Sequence, residues 1–323
     1  MGRNTSAPLT LTVSALLQTS GRRLGLRVVE EGTSLDRRVT VGELNRPGLA
    51  LAGFLEHFRS ERIQILGRGE HAYCAKARPK DLAASLDAML GYPGIPCLIM
   101  THGAKPPVTV RLACRTSGTP LLVSRLPTAQ LAGELGEILE DALAPRRSVH
   151  GVLVDVYGLG VLIMGEAGSG KSECAVELLK RGHILVADDV VDLRRLRGGI
   201  LRGYCPEPLK HYMELRGLGI LDIKFLFGVG AVLDSTRVEL AVRLEPKAEP
   251  HPLDRLGLAR ESLEILGTQI PLIRIPLHPG RNIAVLIEIA ALNERLKSRG
   301  YDAARTFSAA VSERIRANGR KCR

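Results

Sequence analysis

Aromatic residues are scarce in this chain: Phe, Trp and Tyr make up 3% of its 323 residues, and Trp is absent. Sites for single-stranded nucleic acid stack bases on aromatic rings, so this scarcity disfavours such a site. The chain has no apolar run of the roughly 20 residues that a membrane span needs, and its first residues lack the apolar core of a secretory signal. The six cysteines form no C-x-x-C pair, so neither a zinc site nor a disulfide framework is indicated. We expect a soluble cytoplasmic protein with reduced thiols, and neither membrane nor nucleic acid as a partner.

The charge, by contrast, is strongly of one sign. The formal net charge is +11 at pH 7, which favours an anionic partner such as a nucleotide, an acidic or phosphorylated protein, or nucleic acid. The length allows two domains, each with its own core.

The spacing of apolar residues predicts an α/β protein of two domains. Residues 1–140 form a small α/β domain, with a short buried strand at 62–67 and a helix at 81–90 among its elements. Residues 145–151 are interpreted as a linker, and residues 146–323 as a second domain.

The second domain begins with two apolar strands. A strand that ends near Tyr157 and a strand at 161–164 are interpreted as a hairpin. A helix is then predicted at 171–181, a strand at 183–189 and a further hairpin at 228–244.

Between the second of these strands and the helix, a glycine-rich stretch fits G-x-x-x-x-G-K-[ST], the phosphate-cradling P-loop. Its glycines let backbone N–H groups surround phosphates, and the helix N-terminus adds its dipole. Lys171 can reach the β- and γ-phosphate oxygens, and the hydroxyl of Ser172 can ligate Mg²⁺. We therefore predict a site for ATP and Mg²⁺ that is formed by Gly165, Glu166, Ala167, Gly168, Ser169, Gly170, Lys171 and Ser172.

Two aspartates, Asp188 and Asp189, end the strand that follows the P-loop helix. Ligand groups of open α/β sheets gather at such strand ends, so both carboxylates are expected near the phosphates. Neighbouring residues of a strand point to opposite faces. One aspartate can then be the base that accepts a proton from an attacking hydroxyl, while the other binds a metal ion or has a structural role. The alternative is that the pair only caps the strand in solvent.

Three further residues have two interpretations each. His150 lies near the start of the strand expected to pair with the P-loop strand, and it either approaches an aspartate or is structural or solvated. The segment 213–228 is either a helix end and a loop with Glu214 in solvent, or a mobile loop with Glu214 as a second Mg²⁺ carboxylate and Arg216 on phosphate.

Two arginines, Arg255 and Arg281, each lie in a predicted turn. Arginine there suits bidentate phosphate contact, and the alternative is a solvated side chain.

Together these segments resemble the bifunctional HPr kinase/phosphorylase family. Similarity to its N-terminal domain is found in "NRPGLALAGF". Similarity to its C-terminal domain, in order and spacing, is found in "SVHGVLVDVYGLGVLIMGEAGSGKSE", "RGHILVADDVVDLRR", "ELRGLGILDIKFLFGVGAV", "DRLG", "PLHPGRN" and "EIAALNERLKSRGYDAARTF". The resemblance implies a homohexamer whose P-loop domain is related to phosphoenolpyruvate carboxykinase.

The resemblance also implies an activity. It implies an ATP-dependent kinase, with pyrophosphate as a further donor, that phosphorylates a serine of HPr, the small phosphocarrier of the sugar phosphotransferase system. The reverse-type reaction is phosphorolysis of that phosphoserine by inorganic phosphate to give pyrophosphate. The expected partner is HPr or an HPr-like phosphocarrier, and the expected role is the regulation of carbon metabolism.

Site residues follow from the resemblance position by position. Asp189 matches the general base of the kinase reaction and the acid of the reverse one, and His150, Lys171 and Arg255 match the other catalytic positions. Ser172 and Glu214 match the Mg²⁺ ligands. The segment 213–222 matches the loop that serves both directions, and the segment 276–281 matches the loop tied to phosphorolysis. The further residues expected in these loops and beside Asp189 are Asp188, Arg216, Gly217, Gly219, Pro276, His278, Gly280 and Arg281.

Three other functions stay open from the residues alone. A P-loop ATPase acting on nucleic acid is favoured by the charge, although the basic residues are spread along the chain without a recognised nucleic-acid motif. A small-molecule kinase or carboxykinase-like enzyme would use the same loop. In a nucleotide-binding regulator without catalytic activity, His150 and Asp189 would have structural roles only.

Overall fold

The computed structural model describes residues 11–29, 33–246, 260–278 and 280–321. Contacts divide the chain into two compact units, Ser6–Ala144 and a unit that begins at Pro145. Both units contain helices and strands, so the expected two-domain α/β class is confirmed. Among the described residues, no helix is both long and apolar enough to cross a membrane.

The first unit has short strands and longer helices. Its strands are β1 (Leu11–Thr12), β2 (Leu26–Val28), β3 (Arg38–Val39), β4 (Leu44–Asn45), β5 (Ile63–Leu66), β6 (Leu98–Met100) and β7 (Leu121–Ser124). Its helices are α1 (Val13–Ser20), α2 (Gly48–Leu51), α3 (Arg68–Lys76), α4 (Pro79–Leu90), α5 (Val108–Ser117) and α6 (Thr128–Leu143).

In the described part of this unit, five strands form one sheet in the order β2-β7-β6-β5-β4, with β4 to β7 parallel. Side chains alternate between the faces of a strand, so each face receives its own core. Leu98 and Met100 pack with α4 and α5, whereas Ile99 packs with α1 and α6. Helices therefore cover both faces of the sheet, as a parallel sheet requires.

The second unit is richer in strands. Its strands are β8 (Arg146–His150), β9 (Val152–Val156), β10 (Leu159–Gly165), β11 (Ile184–Ala187), β12 (Val190–Arg195), β13 (Leu201–Tyr204), β14 (Tyr212–Leu215), β15 (Gly219–Asp222), β16 (Ser235–Glu245), β17 (Glu261–Ile265) and β18 (Thr268–Pro276). Its helices are α7 (Lys171–Lys180), α8 (Ile223–Phe227), α9 (Ile283–Ser298) and α10 (Ala303–Lys321).

Nine of the described strands form one sheet that follows β11-β9-β10-β16-β13-β12-β8, with β18 on β16 and β17 on β18. The strands β10, β16 and β18 are parallel neighbours, in which Gly165 pairs with Leu244 and Glu245 with Pro276. Their carboxyl ends therefore meet at one edge. In an open α/β sheet this is the edge where ligands bind.

The helix α7 is held against this sheet by one apolar face. Cys174, Ala175, Leu178 and Leu179 are buried with β9, β10 and α9, at the spacing that places residues on one side of a helix. Full burial of one leucine side chain contributes about 1.5 to 3 kcal/mol. This packing fixes the N-terminus of α7 at the carboxyl end of β10.

The structure corrects three sequence-based expectations and confirms a fourth. The hairpin of the strand ending near Tyr157 with the P-loop strand is confirmed, because β9 and β10 pair antiparallel. The linker prediction for 145–151 is wrong, since β8 lies in the sheet. The hairpin prediction for 228–244 is also wrong, since this stretch contains a single long strand, β16. The segment 213–228 forms the hairpin β14–β15 followed by α8, not a helix end or an irregular loop.

Candidate active site

The P-loop lies between β10 and α7 at the carboxyl edge of the sheet. Gly168 and Gly170 have φ angles of +80° and +83°, a backbone region that glycine adopts without the steric cost of a side chain. The ammonium of Lys171 donates to the carbonyl oxygens of Gly165 at 3.1 Å and Glu166 at 2.9 Å. The lysine therefore lies across the loop that in P-loop proteins surrounds phosphates.

Ser172 and Asp188 are joined by a hydrogen bond. The Ser172 hydroxyl donates to Asp188, at 2.9 Å from Oδ1 and 3.2 Å from Oδ2, and the backbone N–H of Glu214 donates to Oδ2 at 3.3 Å. Asp188 is only 5% exposed. Burial raises the pKa of its carboxyl above the usual range, and the two donors oppose that shift.

The oxygen atoms at this point fit a magnesium ion. Among the described residues, no group of three or more His, Cys, Asp or Glu side chains could hold a metal by itself. Mg²⁺, however, needs only one or two protein carboxylates, because waters and substrate phosphates complete its shell. Since Ser172 donates its proton to Asp188, its oxygen lone pairs stay available to a cation. The side chain of Glu214 is exposed on β14.

Asp189 points away from its neighbour. It occupies the centre of a tight turn between β11 and β12, with φ of +64° and a hydrogen bond from Val190 N to Asp188 O of 2.8 Å. Such a γ-turn is rare and strained, and strain of this kind costs of order 1 to 3 kcal/mol. The turn leaves the Asp189 side chain 75% exposed while Asp188 is buried.

His150 reaches Asp189 by a different strand pairing from the expected one. We expected it on the strand that pairs with the P-loop strand, but it ends β8, which pairs with β12. That register sets His150 opposite Val190, and its Nδ1 lies 3.8 Å from Oδ1 of Asp189. Both side chains are largely exposed, so solvent screens charge interactions between them.

Arg216 lies against the P-loop. It occupies the turn of the β14–β15 hairpin, in which Gly217 and Gly219 have φ angles of +84° and +81°. A Cβ atom at Gly168 would lie 2.8 Å from Nη2 of Arg216, so the guanidinium occupies the space over that glycine. Arginine offers a planar fork of donors that matches phosphate oxygens.

The remaining predicted residues, apart from Arg255, lie at and after the end of β18. Pro276 ends β18 at the same sheet edge as the P-loop. In the following turn, Gly280 has φ of +81° and the N–H of Arg281 donates to the carbonyl of His278. Arg281 lines a groove of about 550 Å³ between β18 and α9, which does not include the P-loop. Arg255 lies outside the described residues.

Sequence reasoning missed a buried polar cluster at the far end of α7. Glu288 on α9 is 8% exposed. It is 2.9 Å from His183 Nε2, accepts from Arg181 at 3.3 Å and from the Tyr157 hydroxyl at 3.5 Å. The only signal in the sequence is a lone acid within the apolar run of α9. The cluster ties the end of the P-loop helix to α9.

Sequence reasoning also missed Gly151. Its N–H donates to the carbonyl of Asp189 at 3.0 Å, and a Cβ at this position would lie 2.7 Å from the carbonyl oxygen of Ile163. A side chain has no room there. The glycine thus allows β8 and β9 to meet beside the Asp189 turn.

Fold and site together define a two-domain α/β protein with a P-loop in its second domain. Two family models match the chain: "HPr Serine kinase N terminus" over residues 11–139 and "HPr Serine kinase C-terminal domain" over residues 141–311. The chain therefore belongs to the HPr serine kinase family, and the family resemblance found in its motifs is confirmed.

Individual relatives agree with this assignment. The chain is similar to a protein of Brevibacillus brevis named HPr kinase/phosphorylase, with 45% identity over 88% of this chain and 91% of the relative. A protein of Alkaliphilus metalliredigens with the same name is 46% identical over 84% of this chain and 87% of its own length. A solved structure titled as the Hpr(Ser) kinase/phosphatase of Coxiella burnetii is 41% identical, with a TM-score of 0.46, over 50% of this chain and 98% of its own. The assignment rests on the sequence matches.

Proposed function

We propose that this chain is a cytoplasmic kinase that transfers the γ-phosphoryl group of ATP to a serine hydroxyl of HPr or an HPr-like phosphocarrier. The observation that carries the proposal is the exposed carboxylate of Asp189 directly after the buried Asp188, which is bonded to Ser172 of the P-loop. The names of the two relatives supply the acceptor, because each is an HPr kinase/phosphorylase. We assign the catalysis to residues 146–323.

Each side chain of the site has a role in this reaction. A serine hydroxyl is a weak nucleophile and needs a base, so Asp189 accepts its proton and His150, 3.8 Å away, orients that carboxylate. Lys171 and Arg216 bind phosphate oxygens. Bound Mg²⁺, held by Ser172 with the carboxylates of Asp188 and Glu214, would neutralise charge on the phosphates. A catalytic role for Arg255 stays a prediction from the family resemblance.

The same groups serve the reverse direction. An oxygen of inorganic phosphate attacks the phosphorus of phosphoserine, the bond from phosphorus to the serine oxygen breaks, and pyrophosphate leaves. Protonated Asp189 returns its proton to the serine oxygen. Pyrophosphate is then also a phosphoryl donor in the forward direction, and residues 276–281 are assigned to the phosphate-dependent reaction. A reversible serine modification of this kind would regulate carbon metabolism.

We also infer that the chain assembles as a homohexamer. Support comes from a set of exposed apolar side chains on the β14–β15 hairpin, on α8 and just after it, since large apolar patches mark interaction sites. They are Leu218, Ile220, Phe225, Leu226 and Val229. Analytical ultracentrifugation would give the mass of six chains, and the mass of a single chain would contradict this inference.

The proposed function is tested by intact-mass analysis of HPr from the same organism. HPr is incubated with this protein, ATP and Mg²⁺, washed free of nucleotide, and returned to the protein with inorganic phosphate. We expect a gain of one phosphoryl group on a serine, followed by its loss with release of pyrophosphate. If HPr stays unmodified while the protein still binds ATP, the acceptor is another protein or a metabolite.

A further inference from the structure

Three residues, 181–183, connect the helix of the P-loop to the strand that leads to the two aspartates. α7 ends at Lys180 and β11 begins at Ile184. Backbone hydrogen bonds of 2.9 to 3.1 Å tie each of the three residues back to the last turn of α7, and Gly182 has φ of +89°. We call residues 181–183 the α7–β11 joint. This joint sets the angle at which β11 leaves α7.

The backbone pairing of β11 is limited. The strand lies at the edge of its sheet and pairs with β9, with an irregularity between Leu185 and Ala187. On its other side, the described residues provide one isolated bridge, between Leu185 and Val232. The direction of β11 therefore depends in part on the side chains that hold its start.

The carboxyl group of Glu288 holds the joint at two points. Its Oε1 is 2.9 Å from Nε2 of His183, and its Oε2 accepts from Arg181 at 3.3 Å. His183 is 4% exposed and Glu288 is 8% exposed, and the low dielectric of such a buried place strengthens hydrogen bonds. The ring of Tyr157 packs edge-on against the imidazole, with ring centroids 4.6 Å apart. The orientation of the imidazole is thus fixed from two sides.

Glu288 is itself fixed relative to the strand of the P-loop. On α9, its neighbours Ile287 and Ala291 are buried in the same core as the apolar residues of β10. Arg295 lies seven residues after Glu288, and so on the same side of α9. It donates to the carbonyl of Tyr157, in the turn between β9 and β10, at 2.7 Å. Glu288 therefore holds the joint in a defined position against the sheet that carries the P-loop.

We propose that Glu288 and His183 are positioning residues for the phosphoryl transfer. Through the joint they set the distance between the Asp189 carboxylate and the phosphates on the P-loop, so this inference rests on the proposed function. Asp189 follows His183 by six residues, which is about 20 Å of extended chain. A change of about 3° in the direction of β11 would then move Asp189 by about 1 Å, and a misplacement of about 1 Å can cost about 10²-fold in rate.

The other end of β11 is held by a different group. There the Ser172 hydroxyl donates to Asp188 at 2.9 Å, which limits how far Asp189 can move when the joint is loosened. The contacts of Lys171 are local, since its ammonium donates to carbonyl oxygens of the P-loop itself. We therefore expect loss of Glu288 to lower kcat while the affinity for ATP is retained.

The test uses Glu288→Ala, with Glu288→Gln as the conservative variant. For Glu288→Ala, kcat for phosphorylation of HPr should fall about 10-fold with the KM for ATP unchanged. For Glu288→Gln, kcat should lie between the two, because the amide oxygen still accepts from His183 while the second acceptor is lost. Glu294→Ala removes an acid from the same helix and should leave kcat unchanged. Urea unfolding shows whether each variant is folded under the assay conditions, and if Glu288→Ala is not, Glu288→Gln decides the test.

A double-mutant cycle separates positioning from stability. Asp189→Asn removes the base, so adding Glu288→Ala to it should lower kcat by less than about twofold, because residues that act as one unit are not additive. The stability control is Ile265→Val, a change in the second buried core of the same unit. It removes a buried methylene group away from the joint and should leave the kcat of the folded enzyme unchanged.

Two outcomes would overturn the positioning role while the proposed function stands. One is an unchanged kcat in both Glu288 variants when the unsubstituted protein phosphorylates HPr. The other is an equal loss of kcat from Glu288→Ala with and without the Asp189 carboxylate, which would show that Glu288 does not act through Asp189. If the unsubstituted protein does not phosphorylate HPr at all, the proposed function fails and this inference fails with it.

Discussion

The hydroxyl of Ser172 lies 2.9 Å from Oδ1 of Asp188, so the first turn of the P-loop helix is tied to the residue that follows β11. The same carboxylate accepts the backbone N–H of Glu214. One buried group therefore positions the P-loop helix, the Asp189 turn and the hairpin that carries Arg216.

The first prediction compares two serines of the P-loop. Ser172→Ala should lower the free energy of unfolding by about 1 to 3 kcal/mol, because a buried carboxylate loses a donor. Ser169→Ala is the matched control. The Ser169 hydroxyl is buried and has no hydrogen-bond partner among the described residues, so its removal should be neutral or stabilising. Urea unfolding measures both variants, and equal losses would contradict the prediction.

The second prediction concerns the pH dependence of stability. Burial raises the pKa of Asp188 above its ordinary value of 3.8, so between that value and the raised one the folded chain binds more protons than the unfolded chain. Stability then falls as pH rises through this window. Asp188→Asn should remove that loss, so its stability relative to the natural protein should increase with pH. The control is Asp87→Asn, which removes a carboxyl from an exposed site instead of a buried one. Urea unfolding at several pH values checks this, and parallel curves for the two proteins would argue against it.

The third prediction assigns the base. Asp189→Asn should lower both phosphorylation and phosphorolysis by about 10²- to 10⁴-fold, the usual contribution of a general base or acid. ATP binding should persist, because the Asp189 side chain is exposed and, among the described residues, contacts His150 at 3.8 Å. Initial rates and nucleotide titration separate the two effects. Phosphoserine formation at the normal rate in this variant would show that Asp189 is not the catalytic base.

The fourth prediction concerns Arg216, whose guanidinium lies over Gly168. Arg216→Ala should weaken binding of Mg²⁺-ATP about tenfold or more, because a charge-assisted hydrogen bond to phosphate is lost. Arg216→Lys should be intermediate, since it keeps the charge without the planar fork. Arg305→Ala, at an exposed position on α10, is the control. Calorimetric titration gives the affinities, and three equal values would show that Arg216 does not contact the nucleotide.

The fifth prediction concerns the buried cluster at the end of α7. Glu288→Ala should cost about 1 to 3 kcal/mol of stability, because it leaves the buried His183 without its hydrogen-bond partner and leaves Arg181 with Glu177 alone. Glu294→Ala, on the same helix, removes only an ion pair with Lys297 at 3.8 Å and should cost less than about 1 kcal/mol. Thermal and urea unfolding compare the two variants. Similar losses of stability would show that the cluster does not stabilise the position of α7.

Much of the candidate site could be predicted from the sequence, because its residues lie close together in the chain. A glycine-rich turn between an apolar strand and an amphipathic helix specifies the P-loop through neighbouring residues alone, and the structure has β10 and α7 there. The helix α4, which has a clear apolar face, was predicted nearly to its ends. The hairpin prediction for 228–244 was wrong because the first part of the stretch, Val229–Ala231, forms a short 3₁₀ helix and the later part holds one long strand, β16.

What the sequence by itself determined is the two-domain α/β class, the P-loop and the family, since each depends on residue types at fixed short spacings. Only the tertiary structure decided that His150 meets Asp189 through the pairing of β8 with β12, that Arg216 covers Gly168, and that Glu288 meets His183. The physical reason is register. A shift of one residue turns every side chain of a strand to the opposite face, and register is set by packing between segments that lie far apart in the chain.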